Sequence, residues 1–128
     1  MASAVTGLAR IEHVNLTVQD PHGAARLMEA LFGWTVRWQG LNGGGGTTVH
    51  VGSAEQYIAF CSGGEIYGKG RPFNHVAIEV DDLDAVEARV AAAGLEPFAH
   101  GDYEPGRRFY FFDANGVEFE IVDYGGGR

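Results

Sequence analysis

The chain has 128 residues, with 9 Lys and Arg against 17 Asp and Glu, for a formal charge of −8. That is one domain, or two small halves packed as one, and its acidity excludes nucleic acid and anionic membranes, which call for a basic footprint. Its single cysteine, Cys61, rules out an internal disulfide framework, and no apolar run approaches the roughly 18 residues of a membrane span.

Met1 to Gly7 carries no signal-peptide pattern, so a soluble cytoplasmic protein is expected. Ile11 to Asp20 alternates apolar and polar residues and reads as a half-buried strand. Asp20-Pro21 is a helix N-cap and first-turn pair; Ala24, Leu27, Met28 and Leu31 recur at helical spacing, and Gly33 stops the run. Strands are expected at Thr35–Gln39, Thr47–Gly52 and Glu55–Cys61, with a hairpin loop at Gly43–Gly46. A glycine-rich connection follows, and then the pattern repeats. Phe73 to Asp82 matches Ile11 to Asp20, placing His75 62 residues after His13. Asp81 or Asp82 caps a helix striped by Val86 and Val90, and Gly94 stops it 61 residues after Gly33. Strands at Leu95–Ala99, Arg107–Asp113 and Val117–Tyr124 follow, with a loop around Gly101–Gly106 and an Asn115-Gly116 hairpin turn. Gly125 to Arg128 reads as a frayed tail. The expected fold is α+β, with β-α-β-β-β modules at residues 8–62 and 72–124 joined by a linker at 63–71.

Strand alternation assigns faces. Val14, Leu16 and Val18 must bury against the first helix, which puts His13, Asn15 and Thr17 on the other face. In the repeat, Val76, Ile78 and Val80 face the helix and His75, Ala77 and Glu79 face away. On the last strand Glu118 and Glu120 share that outer face, opposite Phe119 and Ile121. Arg108 shares a face with Tyr110 and could anchor an acidic substrate, while Arg107 points away. The facing of His50 stays open.

These residues resemble the vicinal-oxygen-chelate superfamily, which includes glyoxalase I, bleomycin-resistance proteins, fosfomycin-resistance thiol transferases, methylmalonyl-CoA epimerases and extradiol dioxygenases. The resemblance rests on IEHVNLTVQD, NHVAIEVDDLD and the closing FYFFDANGVEFEIV, and spans about Arg10 to Tyr124. It implies an eight-stranded, partly open barrel-like sheet with helices outside. It also implies one divalent metal ion (Fe, Mn, Zn or Ni) held by His13, His75 and Glu120. The fourth ligand of glyoxalase I would fall at Ile58 or Ala59, and neither can bind metal. Two imidazoles and a carboxylate leave positions open for substrate oxygens, whose developing charge a metal would hold as a Lewis acid.

Glu120 is assigned a catalytic part with Tyr110 and Glu118; Glu118, or else Glu79, could serve as a base. Asn15, Arg108 and Tyr110 are the candidate substrate contacts. Asn15 stands where the fosfomycin enzymes carry threonine, and Pro97–Pro105 lacks the lysine of their potassium loop, which argues against fosfomycin as substrate. The expectation is a metal-dependent enzyme acting on a small molecule as a lyase or isomerase, by thiol transfer or by dioxygenation, and forming a homodimer. The alternative is a metal-free binding protein of the bleomycin-resistance type. A third option is a scaffold with a vestigial site.

Overall fold

The computed structural model describes residues 11–68, 70, 73–103 and 106–125. Each half is built in the order strand, helix, three strands. The first half holds β1 (His13–Thr17), α1 (Pro21–Phe32), β2 (Thr35–Leu41), β3 (Thr47–Gly52) and β4 (Tyr57–Cys61). The second holds β5 (Val76–Glu79), α2 (Leu83–Ala92), β6 (Phe98–Tyr103), β7 (Gly106–Phe112) and β8 (Glu118–Asp123).

Both helices start where a side chain can satisfy an orphan N–H. The Asp20 carboxylate accepts from the Gly23 amide at 3.0 Å, and the Asp82 carboxylate from the Ala85 amide at 3.1 Å. Gly33 ends α1 at φ 69°, a left-handed cap that suits glycine. Ala24, Ala25, Met28 and Leu31 bury the inner stripe of α1, and Leu83, Val86 and Val90 that of α2.

Each module forms a four-stranded sheet, ordered β1-β4-β3-β2 in the first and β5-β8-β7-β6 in the second. Strands β1 and β4, like β5 and β8, run parallel; the other pairs are antiparallel. The repeat extends to irregularity: β2 shifts register between Val36 and Trp38, and β6 between Phe98 and Gly101. That second bulge explains a departure from the sequence expectation. Ala99 takes a left-handed φ of 55°, and the strand then continues to Tyr103 where the glycines suggested a loop. Met1 to Arg10, including the start of the first module, Lys69 and Arg71 of the linker, Pro72 at the start of the second module, Glu104 and Pro105, and Gly126–Arg128 of the tail expected from Gly125 lie outside the described residues.

One hydrophobic core joins the halves, from Leu16, Met28 and Phe60 to Val90, Phe109 and Phe119. Among the described elements, α1 and α2 are the pair that touches between modules, and Arg89 Nη1 donates to the Leu31 carbonyl at 3.2 Å. Among the described residues the two sheets share no ladder and do not close on each other. Each therefore buries its helix side and leaves the histidine-bearing side open.

Candidate functional site

In the second module, β5 sets His75 beside β8. His75 Nε2 lies 3.0 Å from Glu120 Oε1, and Nδ1 lies 2.8 Å from Asn74 Oδ1. With Asn74 accepting from Nδ1–H, the Nε2 lone pair of a neutral ring faces a carboxylate oxygen. That contact requires a proton or a cation between the two atoms. Adjacent donors around a six-coordinate cation with bonds of ~2.1 Å stand about 3.0 Å apart, so this pair fits one edge of a metal site. Glu120 is only 8 % exposed, and its other oxygen accepts from Arg108 Nη1 at 2.9 Å. Arg108 Nε and Nη2 are buried with no partner. Each unmet buried donor costs about 1–3 kcal/mol.

Tyr110 pairs with Glu120 across β7 and β8, and its ring meets His75 edge-on at 5.9 Å. Burial, with negative Glu120 beside it, pushes the phenol above its ordinary value, so Tyr110 stays a hydrogen-bond donor. The sequence-predicted His75, Glu120, Arg108 and Tyr110 thus meet on one face. Arg107 points to the other, where it makes a two-pronged ion pair with Asp84 at 2.9 and 3.2 Å. His100 is also on that side, stacked on Phe109 and hydrogen-bonded to Glu87.

His13 lies on the matching face of the first module. The preceding residue holds it too, since its Nδ1 is 2.9 Å from Glu12 Oε1. In both repeats an acceptor just before the histidine engages Nδ1 and leaves Nε2 as the nitrogen for a further partner, which for His75 is Glu120; metal-binding histidines use the same second-shell device. Ala59 pairs with Asn15 as Glu120 pairs with Ala77, so the position matching Glu120 is an apolar side chain, 1 % exposed. Among the described residues, no three His, Cys, Asp or Glu side chains gather closely enough to hold a metal ion. One chain assembles His75 with Glu120 and keeps His13 on the other sheet.

Sequence reasoning missed His50 and Tyr57. His50 pairs with Ala59 across β3 and β4, which puts it on the face of His13. Tyr57 stacks with both imidazoles, with ring centres at 4.8 Å from His13 and 4.6 Å from His50, and the Arg37 guanidinium also lies over its ring at 4.5 Å. Burial pushes His50 below the ordinary histidine value, as do His13 and Arg37. No motif flagged His50, because its counterpart in the repeat is Tyr110.

Asn15 and Glu118 both line a neighbouring feature, a cleft of about 230 Å³ that Tyr67, Phe73 and the His75 partner Asn74 also line. Glu118 is buried, at 6 % exposure. A larger groove of about 740 Å³, lined by Trp34, Glu79, Arg89 and Asp123, contains neither His75 nor Glu120. Size alone therefore does not mark the chemistry.

The model of the glyoxalase/bleomycin resistance protein/dioxygenase superfamily matches residues 10–121. A glyoxylase/bleomycin resistance protein/dioxygenase domain from Frankia sp. EAN1pec superposes with a TM-score of 0.81 at 24 % identity, covering 95 % of this chain and 96 % of that one. The fosfomycin resistance protein FosX from Listeria monocytogenes, solved with Mn(II) and sulfate, superposes with a TM-score of 0.71 at 20 % identity over 94 % and 93 %. FosX from Mesorhizobium loti gives 0.68 at 23 % identity, with 94 % and 93 % covered. No curated protein matches the sequence. Two repeated modules, a matching fold and a family match over nearly the whole chain place this protein in the glyoxalase/bleomycin resistance protein/dioxygenase superfamily.

Proposed function

We propose that this protein is a metal-dependent enzyme of small-molecule chemistry whose site is completed by two chains. His13 of one protomer would join His75 and Glu120 of its partner. The observation that carries this reading is the His75 Nε2–Glu120 Oε1 approach at 3.0 Å, with Nδ1 already occupied by Asn74. The duplicate Glu12–His13 arrangement supports the third ligand. Exposed Trp38 on β2, which pairs with His50, and Phe112 on β7, which pairs with Glu118, lie on the open faces and suit burial against a second copy. The Mn(II) bound by the Listeria FosX makes a divalent ion reasonable in this fold.

When bound, the ion supplies Lewis-acid stabilisation of negative charge on a substrate oxygen. The chain's own residues do the rest. Tyr110 donates from its phenol, and Arg108 holds Glu120 in place and orients substrate. From the cleft that shares Asn74 with His75, Asn15 would contribute a polar contact and Glu118 would move a proton. The reaction belongs to the lyase or isomerase, thiol-transfer or dioxygenation classes. We place it in the cytoplasm, in keeping with a free, half-buried Cys61.

A metal-free binding protein is the second reading. It is favoured by one feature: His75 and Arg108 already partner both oxygens of Glu120. Mn(II) titration of the full-length protein, followed by electron paramagnetic resonance, separates the two. The enzyme reading expects tight binding that His75→Ala weakens at least tenfold. Equal weak binding by both proteins overturns it.

A further inference from the structure

Arg108 carries an unspent recognition edge. Its Nη1 is committed to Glu120, whereas Nε and Nη2 are buried and donate to nothing. Those two nitrogens form one side of the guanidinium, where two N–H bonds run parallel. That edge matches a pair of oxygens on a single carboxylate or phosphonate. A folded chain keeps such donors unmet when something outside the chain meets them.

The surroundings agree. The Tyr103 ring lies over the guanidinium, 5.0 Å from its carbon, and is itself 61 % exposed. A Cβ at Gly101 would meet that ring at 2.5 Å, so the missing side chain makes room for it. Part of what covers the guanidinium is therefore one exposed aromatic at the end of β6, a side chain that can turn aside without disturbing the core. Val122 and Gly101, which flank Arg108 on the neighbouring strands, bring no charge. Glu120 is the sole carboxylate that ion-pairs with Arg108 among the described residues. Once Glu120 also serves a cation, Arg108 is left under-compensated and favours an anion.

We propose that the Nε–Nη2 edge of Arg108 is an oxyanion subsite, and that the substrate carries a carboxylate or phosphonate group that docks there with two oxygens. This rests on the functional reading above for its place beside the chemistry.

The test titrates methylphosphonate, and separately acetate, into the full-length protein by calorimetry in an oxyanion-free buffer, with and without Mn(II). Arg108→Gln should weaken binding of at least one probe about tenfold or more. Arg108→Lys should lose nearly as much, because an ammonium keeps the charge without the parallel edge. In wild type the Arg108 Nε–H nuclear magnetic resonance signal should move with saturation, a readout that needs no variant to fold. An unmoved signal, or equal affinity in wild type and Arg108→Gln, overturns the proposal; so does full affinity in Arg108→Lys. Spin resonance on the same samples keeps the two ideas apart. Arg108-dependent anion binding without Mn(II) binding sinks the metal reading alone, and Mn(II) binding with no Arg108 dependence sinks this one alone.

Discussion

Glu120 is where local electrostatics and proposed function meet. Its carboxylate is buried between His75 and Arg108, each within 3.0 Å. Burying a charge costs several kcal/mol unless partners compensate, and removing one partner leaves the other exposed to that cost. Glu120→Gln keeps the shape and an acceptor for Arg108 but deletes the charge. It should destabilise the metal-free protein by about 2 kcal/mol in urea unfolding and weaken Mn(II) binding at least tenfold. Unchanged stability would mean that the pair is solvated. His50 makes a separate prediction. Its folded pKa lies below the ordinary value, mainly through burial. The unfolded chain therefore takes up the proton first, and stability rises with pH across that window. The contribution is complete above about pH 6.5 and is lost as pH falls through the folded value. Urea melts at several pH values should show this acid-side loss, and His50→Gln should flatten it. An equal slope in both proteins would assign the loss to other groups.

At the level of elements, the two modules copy each other down to their bulges, and the copy in β6 carries a strain. Ala99 sits at φ 55°, where an alanine's Cβ crowds the following carbonyl. Ala99→Gly removes that crowding, with part of the gain offset by glycine's greater freedom in the unfolded chain. A net gain of about 0.5–1 kcal/mol is expected from thermal and urea melts; a loss would show that the methyl packs usefully. This residue also explains where sequence reading stops. Helix ends were legible because Asp20, Gly33 and Asp82 act through bonds a few residues away. The histidine faces were legible because a period of two residues is strict within a strand. The extent of β6 was not, since Gly101 is needed for the space under Tyr103 and not for a turn. The place of His50 was not either: alternation with buried Val49 and Val51 sets its face, but its company with Tyr57 and His13 comes from the register of β3 on β4 and of β4 on β1, which no local pattern encodes. The acceptors Glu12 and Asn74 were visible as letters, but their shared purpose emerges only once both rings are seen held by Nδ1.

For the whole molecule the question is which faces meet. Within a chain the modules join through α1 and α2, which turns both histidine faces away from the shared core. The first face offers His13, His50 and exposed Trp38, and the second offers His75, Glu120 and exposed Phe112. Under the proposed reading neither face alone supplies the three ligands, and each has what the other lacks. A symmetric dimer that paired unlike modules would build two equivalent sites from four half-sites. That arrangement makes a sharp prediction about mixtures. His13→Ala and His75→Ala should each bind Mn(II) poorly alone. In a mixed dimer, one site would receive both substitutions, whereas the other would receive intact His13 from one variant and intact His75 with Glu120 from the other. Unfolding an equal mixture and refolding it together should restore about one tight site for every four chains, given random pairing into twofold dimers. Sites built within single chains would leave every one of them short of a ligand, and the mixture would then bind no better than either variant.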